Sequence, residues 1–122
     1  MRSKQRFALS AYFSGVQDTT RLNIIDVKLR VSLQRENGKQ MELDVVATSS
    51  CGRIVVVEVK KWKDPIDPAR VEDFVEKVNL YATQRLDKTI LPAFLALGGF
   101  TKDAQQLCEE RCIGTAECIA HF

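Results

Sequence analysis

The sequence predicts an α/β protein with a mixed central sheet in the order β-β-β-α-β-α-β, flanked by helices. An alternating apolar–polar run leads into an Asn-Gly turn, which is typical of a β-hairpin. A later run has four consecutive β-branched residues and follows a glycine turn. The remaining apolar segments are separated by stretches of helical periodicity, so crossover connections are expected to follow the hairpin meander.

The first three strands are predicted from their side-chain patterns. Residues 25–34 alternate apolar and polar side chains, which indicates a half-buried strand. Its core side is predicted to carry Ile25, Val27, Leu29, Val31 and Leu33. The turn 36–39 leads to a second strand at about 40–48. The third strand, at about 53–60, carries the β-branched run and is predicted to be the buried centre of the sheet.

A long helix is predicted after the third strand. Asp67 is a suitable N-cap, and Pro68 fits the first helical position. The helix is expected to continue to about Leu86. Its apolar contacts are predicted to come from Val71, Phe74, Val75, Val78, Leu80, Tyr81 and Leu86.

The last third of the chain alternates strand and helix. A fourth strand is predicted at 90–97, before Gly98-Gly99. Thr101 is expected to cap a helix that runs to about Arg111, with Gly114 as the residue that stops the helix. A short final strand is predicted at 115–119.

The N-terminal region is predicted to contain a short helix at 4–14, ended by Gly15. Phe7, Ala8, Ala11 and Tyr12 would lie on one side of it. With 122 residues, 45% of them hydrophobic and 28% charged, the chain is expected to form one domain spanning 1–122.

Charge and hydropathy exclude several classes of protein. The net charge of +2 is too small for a polycation, so DNA affinity would have to come from a local basic patch. No apolar run approaches the roughly 20 residues that cross a membrane. The basic N-terminus lacks the apolar stretch of a secretory signal, so a cytoplasmic location is expected. There, cysteines are expected as thiols or metal ligands rather than disulfides.

The cysteines near the C-terminus leave two alternatives open. Cys108, Cys112, Cys118 and His121 follow the spacing C-x3-C-x5-C-x2-H, and Cys51 would supply a fourth thiol to a metal cluster. That spacing fits neither iron–sulfur clusters nor standard zinc knuckles. Buried thiols are the favoured interpretation, because free cysteine is among the most buried residue types.

Polar side chains lie at the ends of the second and third strands. Glu42 and Asp44 are two residues apart and would share one face, as would Glu58 and Lys60. Charged residues are costly to bury unless they are paired or bind metal. Carboxylates are hard ligands suited to Mg²⁺ or Mn²⁺, and the Val59 carbonyl could be a further ligand. The pattern therefore favours a metal site, with Glu42 as a supporting acid or a second-metal ligand.

The pattern of 42–44, thirteen intervening residues and 58–60 resembles the PD-(D/E)XK nuclease superfamily. The flanking text is most similar to its Holliday-junction-resolvase-like branch, and the resemblance covers about residues 24–98. It implies a restriction-endonuclease-like fold with its core at 24–98. It also implies a Mg²⁺- or Mn²⁺-dependent DNA phosphodiesterase, expected to be an endonuclease, with Asp44, Glu58 and Lys60 as catalytic residues.

One departure from that family's pattern concerns the N-terminal region. Many members carry an acidic residue on a helix before the first strand. Residues 1–23 contain only Asp18 as a carboxylate, outside the predicted helix. Residues 1–23 are therefore interpreted as a truncated helical region, or the site as one that binds a single metal.

A basic stretch follows the third strand. Lys61, Trp62, Lys63 and Arg70 are candidate nucleic-acid contacts, with the indole against sugar or base. The alternative is a solvated loop. Some branches of the superfamily place Gln or Tyr on the next helix, so Lys77, Tyr81 and Gln84 are candidate auxiliary residues there. The favoured interpretation of that helix is nevertheless structural, with Tyr81 in the core and Lys77 and Gln84 on a solvated face.

Two alternatives to a nuclease site remain. The charged strand ends could form ordinary ion pairs, Glu58 with Lys60 or Lys61 and Asp44 with Arg53. The chain could also be a non-catalytic nucleic-acid-binding or assembly module, because fold alone does not fix function. A nuclease of this size that cuts both DNA strands is expected to act as a homodimer.

Overall fold

The run of four β-branched residues lies at the centre of the main sheet, as predicted. The protein is represented by a computed structural model that describes residues 7–34, 38 and 40–117. Its strands are β1 Phe7–Ala8, β2 Arg21–Leu22, β3 Ile24–Gln34, β4 Gln40–Ser49, β5 Arg53–Lys60, β6 Thr89–Ala96 and β7 Gly114–Ala116. The helices are α1 Pro68–Thr83 and α2 Lys102–Glu110.

The described part of the main sheet has five strands in the order β3-β4-β5-β6-β7. β3, β4 and β5 are antiparallel neighbours, whereas β5, β6 and β7 are parallel. The predicted element order and mixed sheet are therefore confirmed. A parallel pair needs a crossover connection, and α1 and α2 supply the two crossovers. β1 and β2 form a separate antiparallel pair.

The main core lies between the sheet and the two helices. Alternation along β5 sends Val56 towards the helices and Val55 towards the opposite face. Phe94 of β6 makes edge-to-face contacts with Phe74 of α1 and with Phe100, at centroid distances of 5.5 and 5.4 Å. Each aromatic pair adds about 1 kcal/mol beyond its buried area.

The opposite face of the sheet is covered by the N-terminal segment, and the predicted helix at 4–14 is wrong within the described residues. Phe7–Ala8 pairs with Arg21–Leu22, and a short 3₁₀ turn follows at Leu9–Ala11. Leu9, Phe13 and Leu22 are buried against Val55 and Ala93. Strand pairing and this burial outweigh the weak tendency of so short a segment to form an isolated helix.

Most of the predicted core side of β3 is exposed, which corrects the half-buried prediction. Leu33 is buried, but Ile25, Val27 and Leu29 are 62%, 56% and 69% exposed. Arg30 has a left-handed backbone, with φ of 56°. Beyond it Leu33 packs on the helix-covered face, whereas Val27 lies on the face that the N-terminal segment covers only in part.

Both helices begin at the predicted caps. The Asp67 carboxylate accepts a hydrogen bond from the Arg70 N–H, and the Thr101 hydroxyl accepts one from the Ala104 N–H. These bonds satisfy amide groups that the first helical turn leaves without partners.

Both helices end earlier than predicted. α1 ends at Thr83, and Leu86 lies in the following turn with 89% exposure rather than in the core. α2 ends at Glu110, where the left-handed Cys112, with φ of 57°, reverses the chain. Gly114 therefore begins β7 instead of ending the helix.

Two predicted segments fall partly outside the described residues. The turn 36–39 is described only at Gly38, which has a φ of 86°. The last strand begins at Gly114, one residue before its predicted start, and ends at Ala116, because Glu117 already lies in a bend; residues 118 and 119 lie beyond the described range.

Among the helices in the described residues, none combines the length and apolar character needed to cross a membrane.

Candidate active site

The candidate site forms where the ladder between β4 and β5 ends, in the middle of β4 and near the end of β5. The antiparallel ladder between these strands ends at the pair Val45–Val57. The next residues along the two strands are Asp44 and Glu58, so the antiparallel register brings the two carboxylates to the same end of the sheet. Both residues were predicted from the sequence. They are fourteen positions apart in the chain, and the hairpin of β4 and β5 brings them opposite each other.

Asp44 is held by the backbone of the neighbouring strand. Its Oδ2 accepts a hydrogen bond from the Val59 N–H at 2.8 Å. The carboxylate thus satisfies an amide of β5 just beyond the last ladder pair. A charge-assisted bond of this kind fixes the carboxylate relative to residues 58–60.

Glu58 is a buried carboxylate between two lysines. Its exposure is only 3%. Lys77 Nζ, from α1, donates to both Glu58 oxygens at 3.2 Å. Lys60 Nζ lies 3.4 Å from Glu58 Oε2. A buried carboxylate without partners would be strongly disfavoured, and these two ammonium groups supply its compensation.

A cavity of about 360 Å³ opens beside Glu58. Its charged lining residues are Glu42, Glu58, Lys60, Arg70, Asp73 and Lys77. Glu42 thus faces the same space as Glu58, whereas Asp44 contacts the Val59 amide beside it. Sequence reasoning did not include Asp73, which lies on α1 four positions before Lys77, the spacing of neighbours on one helix face.

The chemistry of the donor groups suits a hard divalent cation. Asp44 and Glu58 supply carboxylate oxygens and Val59 a carbonyl, and Mg²⁺ commonly uses one or two carboxylates plus water. Over residues 7–34, 38 and 40–117, no group of three or more His, Cys, Asp or Glu is arranged to hold a metal ion. Two carboxylates and one carbonyl leave the other positions of such a cation to water and substrate, and both Glu58 oxygens contact lysine ammonium groups.

The predicted nucleic-acid contacts lie next to this cavity. Trp62 is 45% exposed, and its ring centroid lies 5.4 Å from Lys60 Nζ and 5.1 Å from the Arg70 guanidinium carbon. Both are cation–π distances. Lys61 and Lys63 are exposed on the same loop. The structure thus brings Lys60 and Arg70 together over the indole.

Gly98 shapes this basic loop, which the sequence pattern did not reveal. A Cβ atom at Gly98 would lie 2.5 Å from the carbonyl oxygens of both Trp62 and Lys63. That distance is too short for any side chain, so only glycine permits the close approach. The Gly98-Gly99 pair was interpreted only as the end of a strand.

The three auxiliary candidates on α1 have different positions. Lys77 is only 18% exposed and donates to Glu58, which corrects its expected place on a solvated helix face. Tyr81 is buried at 3% exposure, which raises its pKa, and Arg85 stacks 3.9 Å from its ring centroid. Gln84 is the C-cap residue of α1. Only Lys77 contacts a predicted catalytic residue by a hydrogen bond among these three.

The alternative pairing of Asp44 with Arg53 is replaced by another ion pair. Arg53, at the start of β5, donates to Asp18 at 2.6 Å. This hydrogen bond lowers the pKa of Asp18 to about 2. Asp18 therefore lies with Arg53 at the opposite end of β5 from Glu58 and Lys60.

The cysteines are only partly as expected. Cys108 is buried, and burial raises its pKa to about 11, so it is an inert core thiol. Cys51 and Cys112 are exposed, which corrects the expectation of buried thiols at these positions. The reason is local, since both lie in turns that end elements of structure. Cys118 and His121 lie outside the described residues.

The mixed sheet has the element order of a restriction-endonuclease-like fold. Comparison with protein families shows the family: the model of the restriction endonuclease family Mrr_cat, of the PD-(D/E)XK superfamily, matches residues 27–114. The chain belongs to this restriction endonuclease family. Among curated proteins there is no significant match.

Solved structures support the same fold. A repair endonuclease from Pyrococcus abyssi aligns with a TM-score of 0.54 and 19% identity over 75% of this chain and 39% of that one. AF1548, a protein of unknown function, aligns with a TM-score of 0.60 and 18% identity over 74% of this chain and 47% of that one. EndoMS, in the structure of an EndoMS–dsDNA2 complex, aligns with a TM-score of 0.51 and 20% identity over 76% of this chain and 38% of that one. The chain spans less than half the length of each.

Proposed function

We propose that this chain is a divalent-metal-dependent DNA phosphodiesterase that acts as an endonuclease. The observation that carries the proposal is that Asp44 and Glu58 lie directly beyond the last pair of the β4–β5 ladder, with Lys60 Nζ 3.4 Å from Glu58 and Asp44 bonded to the Val59 amide at 2.8 Å. Membership of a restriction endonuclease family supports the reaction class. A neighbour described as a repair endonuclease and another in complex with dsDNA support DNA as the substrate.

Asp44 and Glu58, with the Val59 carbonyl, would hold Mg²⁺ or Mn²⁺, and Glu42 could support a second ion from across the cavity. When bound, the cation supplies Lewis-acid stabilisation of the charge that develops on the phosphate. Lys60 would orient and polarise the attacking water and offset phosphate charge. The cation–π contact with Trp62 and the contact with Glu58 both restrain the Lys60 ammonium group.

The basic loop and Arg70 would position the DNA backbone. Lys61 and Lys63 are exposed, and Arg70 lines the cavity that contains Glu58. Contacts from lysine and arginine to phosphate fix the register of a protein on DNA without reading its sequence. Trp62, about half exposed, could stack on a sugar or an unpaired base.

The test is cleavage of supercoiled, linear, single-stranded and branched DNA with Mg²⁺, Mn²⁺ or EDTA. Metal-dependent cleavage is expected to be lost in each of Asp44→Asn, Glu58→Gln and Lys60→Met, while the circular dichroism spectrum shows that each variant remains folded. Lys102→Met, at an exposed position on α2, is the matched control and should cut like the wild type. Full activity in all three site variants would exclude this site as the catalytic centre.

A second candidate function, a non-catalytic DNA-binding module, is favoured by one observation. Both Glu58 oxygens contact ammonium groups, so the carboxylate is neutralised without a metal. This alternative predicts DNA binding that is unchanged by EDTA, together with no detectable Mn²⁺ binding. Calorimetric titration of Mn²⁺ distinguishes the two functions.

We also propose that the domain cuts both strands as a symmetric dimer, because a single site reaches only one strand at a time. Light scattering of the protein alone and with duplex DNA measures this directly. A monomer under both conditions that still makes double-strand breaks would contradict it.

A further inference from the structure

Lys77 engages Glu58 more completely than Lys60 does. Lys77 Nζ lies 3.2 Å from each of the two carboxylate oxygens, whereas Lys60 contacts Oε2 alone at 3.4 Å. The Lys77 side chain is 18% exposed and that of Lys60 is 28% exposed. Lys77 is therefore the principal counterion of this buried carboxylate.

The position of Lys77 conflicts with a divalent cation at the same oxygens. A metal ligated by Glu58 needs at least one of its oxygens at close range, typically 2.0–2.1 Å for Mg²⁺. Lys77 holds a positive charge within hydrogen-bond distance of both. Two like charges this close, in a partly desolvated site, repel strongly. Metal and the Lys77 ammonium group cannot both keep full contact with Glu58.

We propose that Lys77 is a built-in counterion that holds Glu58 in the metal-free protein and competes with the divalent cation for it. This inference rests on the proposed function, since it takes Glu58 as a metal ligand. Lys77 is a positioning residue in this scheme. It orients the buried carboxylate before metal arrives, and the free energy needed to displace it from Glu58 weakens the apparent metal affinity.

The cavity beside Glu58 offers the Lys77 ammonium group other carboxylates as partners. Asp73 and Glu42 line the same cavity of about 360 Å³. Asp73 precedes Lys77 by four residues on α1, so the two side chains are neighbours on the helix surface. A rotamer change of the flexible lysine stem can exchange Glu58 for one of these carboxylates without moving the helix.

The test compares Mn²⁺ affinity by calorimetry in the full chain without DNA. Lys77→Met is expected to bind Mn²⁺ about tenfold tighter or more, because the cation no longer meets a like charge within hydrogen-bond distance of both Glu58 oxygens. Lys77→Arg keeps the positive charge and should bind no tighter than the wild type. Lys102→Met, on an exposed face of α2, is the matched control and should leave the affinity unchanged.

Thermal unfolding gives a second readout. Without metal, Lys77→Met should melt below the wild type because Glu58 loses its main partner. Saturating Mn²⁺ should raise its melting temperature more than that of the wild type. If Lys77→Met does not fold without metal, Lys77→Gln, which retains a hydrogen-bond donor, takes its place in both measurements.

The outcomes separate this inference from the proposed function. Equal or weaker Mn²⁺ binding by Lys77→Met, with clear binding by the wild type, overturns the competition alone. Absence of Mn²⁺ binding in both proteins overturns the metal-dependent function, and the competition with it. Tighter binding by Lys77→Met and not by Lys77→Arg supports both.

Discussion

Asp44 and Val59 are joined across the hairpin by a hydrogen bond of 2.8 Å from the Val59 N–H to Asp44 Oδ2. This bond continues the connection of β4 to β5 one step past the last ladder pair, but with a side chain as the acceptor. A proposed catalytic carboxylate is thereby also a structural acceptor. The two roles can be separated by substitution.

Asp44→Asn keeps an acceptor for the Val59 amide, whereas Asp44→Ala removes it. We expect both variants to lose metal-dependent cleavage. Asp44→Ala should in addition lose about 1–2 kcal/mol of unfolding free energy, because the amide loses its partner. Urea denaturation of the two variants measures the difference. Equal stability would show that the hydrogen bond contributes little.

Glu58→Gln should destabilise the metal-free protein by about 3 kcal/mol, the usual scale for breaking a buried ion pair. The cost arises because Lys60 and Lys77 both lose their counter-charge. Adding Lys77→Met to Glu58→Gln should recover part of this loss. Chemical denaturation of the single and double variants gives the coupling. Strictly additive losses would mean that the two residues are energetically independent.

Trp62→Leu should lower the cleavage rate and weaken DNA binding together, because both Lys60 and Arg70 lie over the indole. Each cation–π contact at an exposed site contributes about 0.5–1 kcal/mol. Trp62→Phe retains a weaker aromatic face and should be intermediate. The measurements are single-turnover rates and binding to a labelled duplex. An unchanged rate in Trp62→Leu would mean that Lys60 needs no support from the ring.

Gly98→Ala should displace the basic loop, since its Cβ would lie 2.5 Å from the carbonyl oxygens of Trp62 and Lys63. Overpacking of this kind typically costs about 1–3 kcal/mol. We expect a lower melting temperature and weaker DNA binding than wild type. Lys63→Ala is the comparison, since it removes a loop charge without that clash. Wild-type stability in Gly98→Ala would show that the loop can relax.

The Asp18–Arg53 pair predicts an acid-dependent loss of stability. The pKa of Asp18 is lowered from 3.8 to about 2, chiefly by the hydrogen bond from Arg53. A depressed folded-state pKa contributes stability above pH 3.8 that is lost as the pH falls towards 2. Asp18→Asn should therefore melt lower than wild type at neutral pH, and the difference should disappear near pH 2. Melting curves of both proteins across this range check it, and a constant difference would contradict it.

The sequence predicted the sheet-forming segments well where side-chain patterns are strong. β5 has the predicted bounds, because four β-branched residues and a glycine turn leave little alternative. Asp67 and Thr101 were correctly predicted as caps, since an N-cap depends on neighbours two or three residues away. The charged residues at 42–44 and 58–60 were also identified from a local pattern, because residues two apart in a strand share one face.

The predictions that failed depended on contacts distant in the chain. The helix predicted at 4–14 was wrong because pairing of β1 with β2 and packing beneath the sheet decide that segment. Alternation in β3 predicted a core face, but no sequence pattern indicates that the sheet face beneath Val27 and Leu29 is covered only in part. Local periodicity reports which side chains share a face, and not what lies against it.

The same division applies to the candidate site. The sequence by itself determined the fold class and the central strand, because strand and helix patterns are short-range. It singled out Asp44, Glu58 and Lys60 as candidate residues, and their catalytic role stays a prediction. Tertiary structure decided that Lys77, one of three auxiliary candidates on α1, contacts Glu58. Tertiary structure also decided that Arg53 forms its ion pair with Asp18 and not with Asp44. Packing of a helix on a sheet fixes which of several equally spaced side chains reaches a buried charge, and that packing is set by the whole core.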